Sequence, residues 1–129
     1  MTTTISGSNG IVFPDATSMQ TGQQAVKAWV NFNGTGVVAI RAGYNVSSIT
    51  DGGAGVFVVN FTTAMVDADY VLLSNASLSF TQANIFSPGI NTGTGGAEVA
   101  PTTSSCSIYI TTSNSVVFDP KYVNVSVFR

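Results

Sequence analysis

At 129 residues the chain is sized for one domain, and with 44% hydrophobic residues it can bury a core. Only 8% of residues are charged, the net charge is −2, and the four cations Lys27, Arg41, Lys121 and Arg129 are scattered. Nucleic-acid binding needs clustered Lys or Arg to neutralise phosphates, so no nucleic-acid partner is expected. There is no histidine and a single cysteine, Cys106, which excludes His-based nucleophilic or metal chemistry and any disulfide within the chain.

Gly, Ser, Thr and Asn are weak helix formers, so their abundance favours short strands joined by glycine turns. Residues 1–24, "MTTTISGSNGIVFPDATSMQTGQQ", hold few large apolar groups (Ile5, Ile11, Val12, Phe13) and a Pro14-Asp15 turn signal. They read as a tether or shaft-like segment, too sparse to fold alone, ahead of a β-sandwich domain over 25–129. The opening "MTTTISGSNG" has neither a cationic segment nor an apolar stretch, so no signal peptide and a cytoplasmic synthesis are expected. No apolar run approaches a membrane span, so no membrane insertion is expected either.

From Ala25 the pattern becomes strand-like. In "AVKAWVNFN", Val26, Ala28, Val30 and Phe32 share one face, while Lys27, Trp29, Asn31 and Asn33 share the other. "NGTG" at 33–36 supplies a hairpin turn and leads into "VVAIRAGY". A two-residue loop at Gly34-Thr35 would set Trp29 opposite Ile40. "NVSSIT", a glycine turn "DGGAG" at 51–55 and the strand "VFVVNFT" at 56–62 follow. Tyr70, Leu72, Ala76, Leu78 and Phe80 would line the apolar face of "YVLLSNASLSF" at 70–80. Residues 81–103 break the rhythm as one long loop, a type that is usually functional or disordered. The strands "SSCSIYITT" at 104–112 and "KYVNVSVFR" at 121–129 close the chain, the first with Cys106, Ile108 and Ile110 on one face. Without any convincing helix, these short strands imply an all-β, antiparallel β-sandwich, jelly-roll-like.

Little of the sequence carries reaction chemistry. Asp67 and Asp69 in "VDADY" are the one close carboxylate pair, which could bind Ca²⁺ or act in a hydrolase, although solvated turn residues explain them as well. Asp51 and Asp119 precede Gly and Pro at turns. Gly52, Gly53 and Gly55 precede no helix with a Lys, so they are turn residues and not a phosphate loop. The Asn-x-Ser/Thr triplets at Asn33, Asn45, Asn60, Asn75 and Asn124 follow from composition. No enzymatic activity, cofactor or metal is expected.

The stretch "KAWVNFNGTGVVAIRAGYNVSSITDGGAGVFVVNFTTAM" (27–65) resembles a module of bacteriophage tail-fibre and other virion-appendage proteins. The "AWVNFNGTG" hairpin, the "IRAGYNVSSITD" strand pair, the Gly-rich turn and the "VNFTTAM" close carry the likeness, and "VDADYVLL" extends it. "ISGSNGIVFPDATSMQTG" (5–22) is similar to the ends of fibre shafts. The resemblance implies a non-enzymatic homotrimer in the virion that contacts other phage proteins and a glycan or protein of the host surface. A structural decoration or cement protein of capsid or tail, with no receptor contact, is the alternative.

Two candidate regions follow. Trp29, with Phe32, Ile40, Phe57 and Phe61, is expected at core or intersubunit packing positions, since buried aromatics dominate such energetics; stacking on a sugar is the competing use of Trp29. The 81–103 loop, with Phe86, Asn91, Thr94 and Glu98 as contacts, is the candidate for receptor recognition, against the alternative of a filler loop.

Overall fold

The computed structural model describes residues 4–6, 10–12, 18–19, 26–77, 89–90, 99–112 and 116–129. Three short N-terminal strands, β1 (Thr4–Ser6), β2 (Gly10–Val12) and β3 (Ser18–Met19), pair antiparallel as a sheet of their own. The segment read as a tether or shaft-like piece has local strand pairing. No helix occurs among the described residues, so none is long and apolar enough to cross a membrane.

Eight further strands form two four-stranded antiparallel sheets. They are β4 (Val26–Asn33), β5 (Ala39–Tyr44), β6 (Val46–Asp51), β7 (Val56–Phe61), β8 (Val71–Ala76), β9 (Gly89–Ile90), β10 (Ser105–Tyr109) and β11 (Val123–Phe128). One sheet has the order β5-β4-β11-β8, the other β6-β7-β10-β9. The consecutive pairs β4/β5 and β6/β7 stay within one sheet as hairpins, whereas the last strand returns to lie beside β4.

Alternation decides which side chains meet between the sheets. Ala28, Val30 and Phe32 from β4 and Val123, Val125 and Val127 from β11 face Phe57, Val59 and Phe61 from β7 and Cys106 and Ile108 from β10. All are buried, and the rings of Phe32 and Phe57 meet edge to face at 5.2 Å across the two layers. This is a sandwich-like core. Tyr70, Leu72 and Ala76 pack at its margin as the alternation in 70–76 predicts, with Tyr70 edge-on to Phe61 at 5.8 Å. Leu78 and Phe80 lie outside the described residues.

Two expectations need correction. The loop between β4 and β5 runs over 34–38, not two residues, and a bulge falls at Asn31/Phe32. Gly34 explains the longer path. Its amide donates to the Pro120 carbonyl at 2.9 Å, and a Cβ there would sit 2.8 Å from that oxygen and 2.9 Å from the Phe57 ring. The chain must therefore continue under the 119–120 segment before it can turn. Asn33 then closes the turn through its carboxamide, donating to the Thr35 carbonyl at 2.7 Å and accepting from the Thr35 hydroxyl at 2.9 Å. In the resulting register Trp29 lies opposite Tyr44, and Ile40 opposite Phe32. The second correction concerns 81–103: it is not loop throughout, because β9 pairs with β10 through Ile90↔Ile108 and Gly89↔Tyr109.

Candidate functional site

The chain's own core takes Phe32, Phe57 and Phe61 but leaves out Trp29 and Ile40, which are 41% and 40% exposed. Trp29 and Ile40 therefore lie outside the core of the single chain, which leaves the intersubunit half of the core-or-intersubunit expectation. The face alternation was right, but the unburied face of β4 is the outside of the sheet. Phe86, Asn91, Thr94 and Glu98 lie outside the described residues.

Strand register arranges that outer face in rows. Tyr44, Trp29, Ser126 and Leu73 form one row across β5, β4, β11 and β8. Tyr44 and Leu73 are each 59% exposed. The next row is Ala42, Asn31, Asn124 and Asn75. Its three carboxamides form a ladder: Asn31 Nδ2 donates to Asn124 Oδ1, and Asn124 Nδ2 donates to Asn75 Oδ1 at 2.7 Å. Neither row contains a charged side chain. Just before β11, the Tyr122 ring lies 4.3 Å from the Arg41 guanidinium carbon, while Arg41 Nη2 donates to the Lys121 carbonyl at 2.6 Å.

Where Tyr44 ends β5, the chain crosses from one sheet to the other through Asn45. This residue has a φ of 54°, a left-handed conformation that Asn tolerates better than most. Its Nδ2 donates to the carbonyls of Lys27 and Thr63, both at 3.1 Å, and its Oδ1 accepts from the Thr63 amide at 2.7 Å. Asn45 thus ties β4, the sheet crossing and the 62–66 turn together.

Beside this corner opens a cleft of about 830 Å³, lined among others by Lys27, Tyr44, Asn45, Thr63, Asp67 and Arg129. The Asp67 carboxylate accepts from Arg129 Nε at 2.9 Å and Nη2 at 2.7 Å, and from the Asp69 amide at 2.9 Å. The Arg129 guanidinium, aided by that amide, holds the Asp67 carboxyl below its usual range. The same pairing holds Arg129 more firmly protonated. Asp67 and Asp69 thus share one turn, with Asp67 ion-paired to Arg129, and do not face each other across a gap as a hydrolase pair would. Among the described residues no three or more His, Cys, Asp or Glu side chains gather as a metal-binding group.

Cys106 sits in the core as the alternation predicts, and burial pushes its thiol up to about 12. Burial likewise raises Tyr70, whose hydroxyl donates to the carbonyls of Thr102 and Ser105, each at 3.0 Å. Both are structural groups.

Sequence reasoning missed Asn45, Tyr44 and the carboxamide ladder. An Asn between two strand patterns is the local signal for a left-handed corner. Nothing local shows that Asn31, Asn75 and Asn124 share a row, because that depends on register between distant strands.

Fold and site together define an all-β antiparallel sandwich that displays an uncharged aromatic and carboxamide face beside a polar cleft. Compared with protein-family models, curated proteins and solved structures, the chain has no match in any of the three.

Proposed function

We propose that this chain is a non-enzymatic attachment subunit of a bacteriophage tail fibre or other virion appendage, working as a homotrimer that contacts the host surface. The observation that carries the reading is the outer sheet face with Trp29 and Tyr44 exposed side by side. Large aromatics on a strand surface are costly to leave wet, and they mark interaction sites when they gather. The stretch that carries the appendage resemblance, 27–65, builds β4 to β7, one hairpin in each sheet. It therefore includes Trp29, Tyr44 and the Asn45 corner. The neutral surface offers little repulsion between copies, which suits a trimer. The 81–103 segment with Phe86, Asn91, Thr94 and Glu98 remains the second proposed contact.

The test uses fluorescently labelled protein on a panel of bacterial strains. An attachment subunit coats a subset of strains and protects those strains from phages that infect them. A protein that coats none of them but co-sediments with purified capsids or tails is a decoration protein instead. Light scattering checks the assembly: a trimer has three times the 13.3 kDa chain mass, and a stable monomer at micromolar concentration rejects it.

A further inference from the structure

We infer that the outer face of the β5-β4-β11-β8 sheet binds a neutral, hydroxyl-rich glycan, with Trp29 and Tyr44 as the stacking platform and the Asn31–Asn124–Asn75 ladder as the hydrogen-bonding rail. This rests on the attachment reading and names the class of receptor for that same face.

The geometry supplies both halves of such a site. Trp29 and Tyr44 are directly opposed on neighbouring strands, half-exposed, and make no ring contact with one another among the described residues. Their exposed aromatic surface suits the flat C–H surface of a sugar ring, an apolar body with polar edges. The carboxamide row lies two residues along each strand, about 7 Å away. That distance sets an amide edge where the hydroxyls of a stacked pyranose would reach.

The ladder runs in one direction, from Asn31 to Asn75, so its two ends differ. Asn75 Nδ2 makes no hydrogen bond to a described residue and offers donors at the β8 edge. Asn31 Oδ1 likewise remains an acceptor at the β4 end. A hydroxyl both donates and accepts, so one kind of neutral group satisfies both ends.

Charge and desolvation select the class. The two rows themselves hold no ionic side chain, with Lys27 and Arg41 lying beyond them, so the part of a ligand seated on the rows is neutral. A second copy of the chain seated on this face is the competing occupant, and the solution mass of a Trp29 variant separates the two.

Trp29 is the only tryptophan, so its emission reports on this face alone. The probe is a printed array of neutral and acidic glycans, including bacterial surface oligosaccharides, followed by titration of the strongest neutral spot against Trp29 fluorescence. Binding to neutral glycans, a blue shift on titration, and a loss of affinity of about tenfold or more in Trp29→Ala, equivalent to about 1.4 kcal/mol, support the inference. Trp29→Phe should restore part of the affinity, and Asn75→Ala, at an exposed edge position, should weaken binding severalfold without loss of fold.

Binding confined to acidic glycans, binding to none, or neutral binding unchanged in Trp29→Ala overturns the inference. A Trp29→Ala protein whose solution mass drops to that of the monomer overturns it too, and makes the face intersubunit. Cell coating is measured in parallel. Wild type and Trp29→Ala coating cells equally removes the glycan site and leaves the attachment reading standing, whereas wild type that coats no strain removes the attachment reading itself.

Discussion

Replacing Asn45 tests whether the sheet crossing is held as described. Asn45→Ala deletes three hydrogen bonds, to Lys27 O, to Thr63 O and from Thr63 N. These bonds are partly open to water, so each contributes about 0.5–1 kcal/mol, or about 2 kcal/mol together. Alanine must also hold the φ of 54°, which costs about 1 kcal/mol more. The sum is about 3 kcal/mol, and at about 4 °C per kcal/mol for a domain of this size Tm falls by about 12 °C. Asn45→Gly loses the same bonds without the backbone strain and should recover about 1 kcal/mol of that loss. Urea unfolding at one fixed protein concentration, followed by Trp29 emission, measures both variants, since assembly makes midpoints concentration-dependent. An Asn45→Ala variant within about 1 kcal/mol of wild type would show that water replaces the carboxamide contacts. A glycine variant no more stable than the alanine one would show that the left-handed corner is not the source of the strain.

The remaining expectations concern the core and the ion pair. Phe57→Ala, which removes a fully buried ring from its edge-to-face contact with Phe32, should cost about 3–5 kcal/mol, and Leu73→Ala on the exposed face under about 1 kcal/mol; equal urea midpoints for the two would put the core elsewhere. Cys106, buried and with its thiol raised to about 12, should resist Ellman's reagent at pH 8 in the folded protein and react fully only in denaturant. Rapid stoichiometric labelling of the native protein would contradict its position. The carboxyl of Asp67 is lowered by Arg129, so its contribution is complete above the unfolded value near 4 and is lost as pH falls through the lower folded value. The stability difference between wild type and Asp67→Asn should therefore hold steady from pH 7 to 5 and close below about pH 4; a gap that persists at pH 2 in denaturation curves would break the assignment.

The alternating patterns by themselves determined much of this molecule. Ala28, Val30 and Phe32, then Cys106 and Ile108, then Val123, Val125 and Val127 reach the core on the faces their period of two assigns. "DGGAG" makes the turn its glycines demand, with φ of 105° at Gly53 and 71° at Gly55 and an Asp51 carboxylate accepting from the Gly53 amide at 2.8 Å. These outcomes are local, set by side-chain period and by backbone freedom. The same period put Trp29 on the face away from Phe32, but it could not say whether that face was covered.

Tertiary structure decided the neighbours. Trp29 meets Tyr44 and not Ile40 because Gly34 must pass beneath Pro120 and against Phe57 before the hairpin can turn. Residues far along the chain thus lengthen a loop that "NGTG" alone would close sooner. The Asn31–Asn124–Asn75 row joins positions 93 and 49 residues apart, and only the pairing of β11 between β4 and β8 brings those amides into one line. Period selects a face, whereas register selects a partner, and register comes from packing between distant segments.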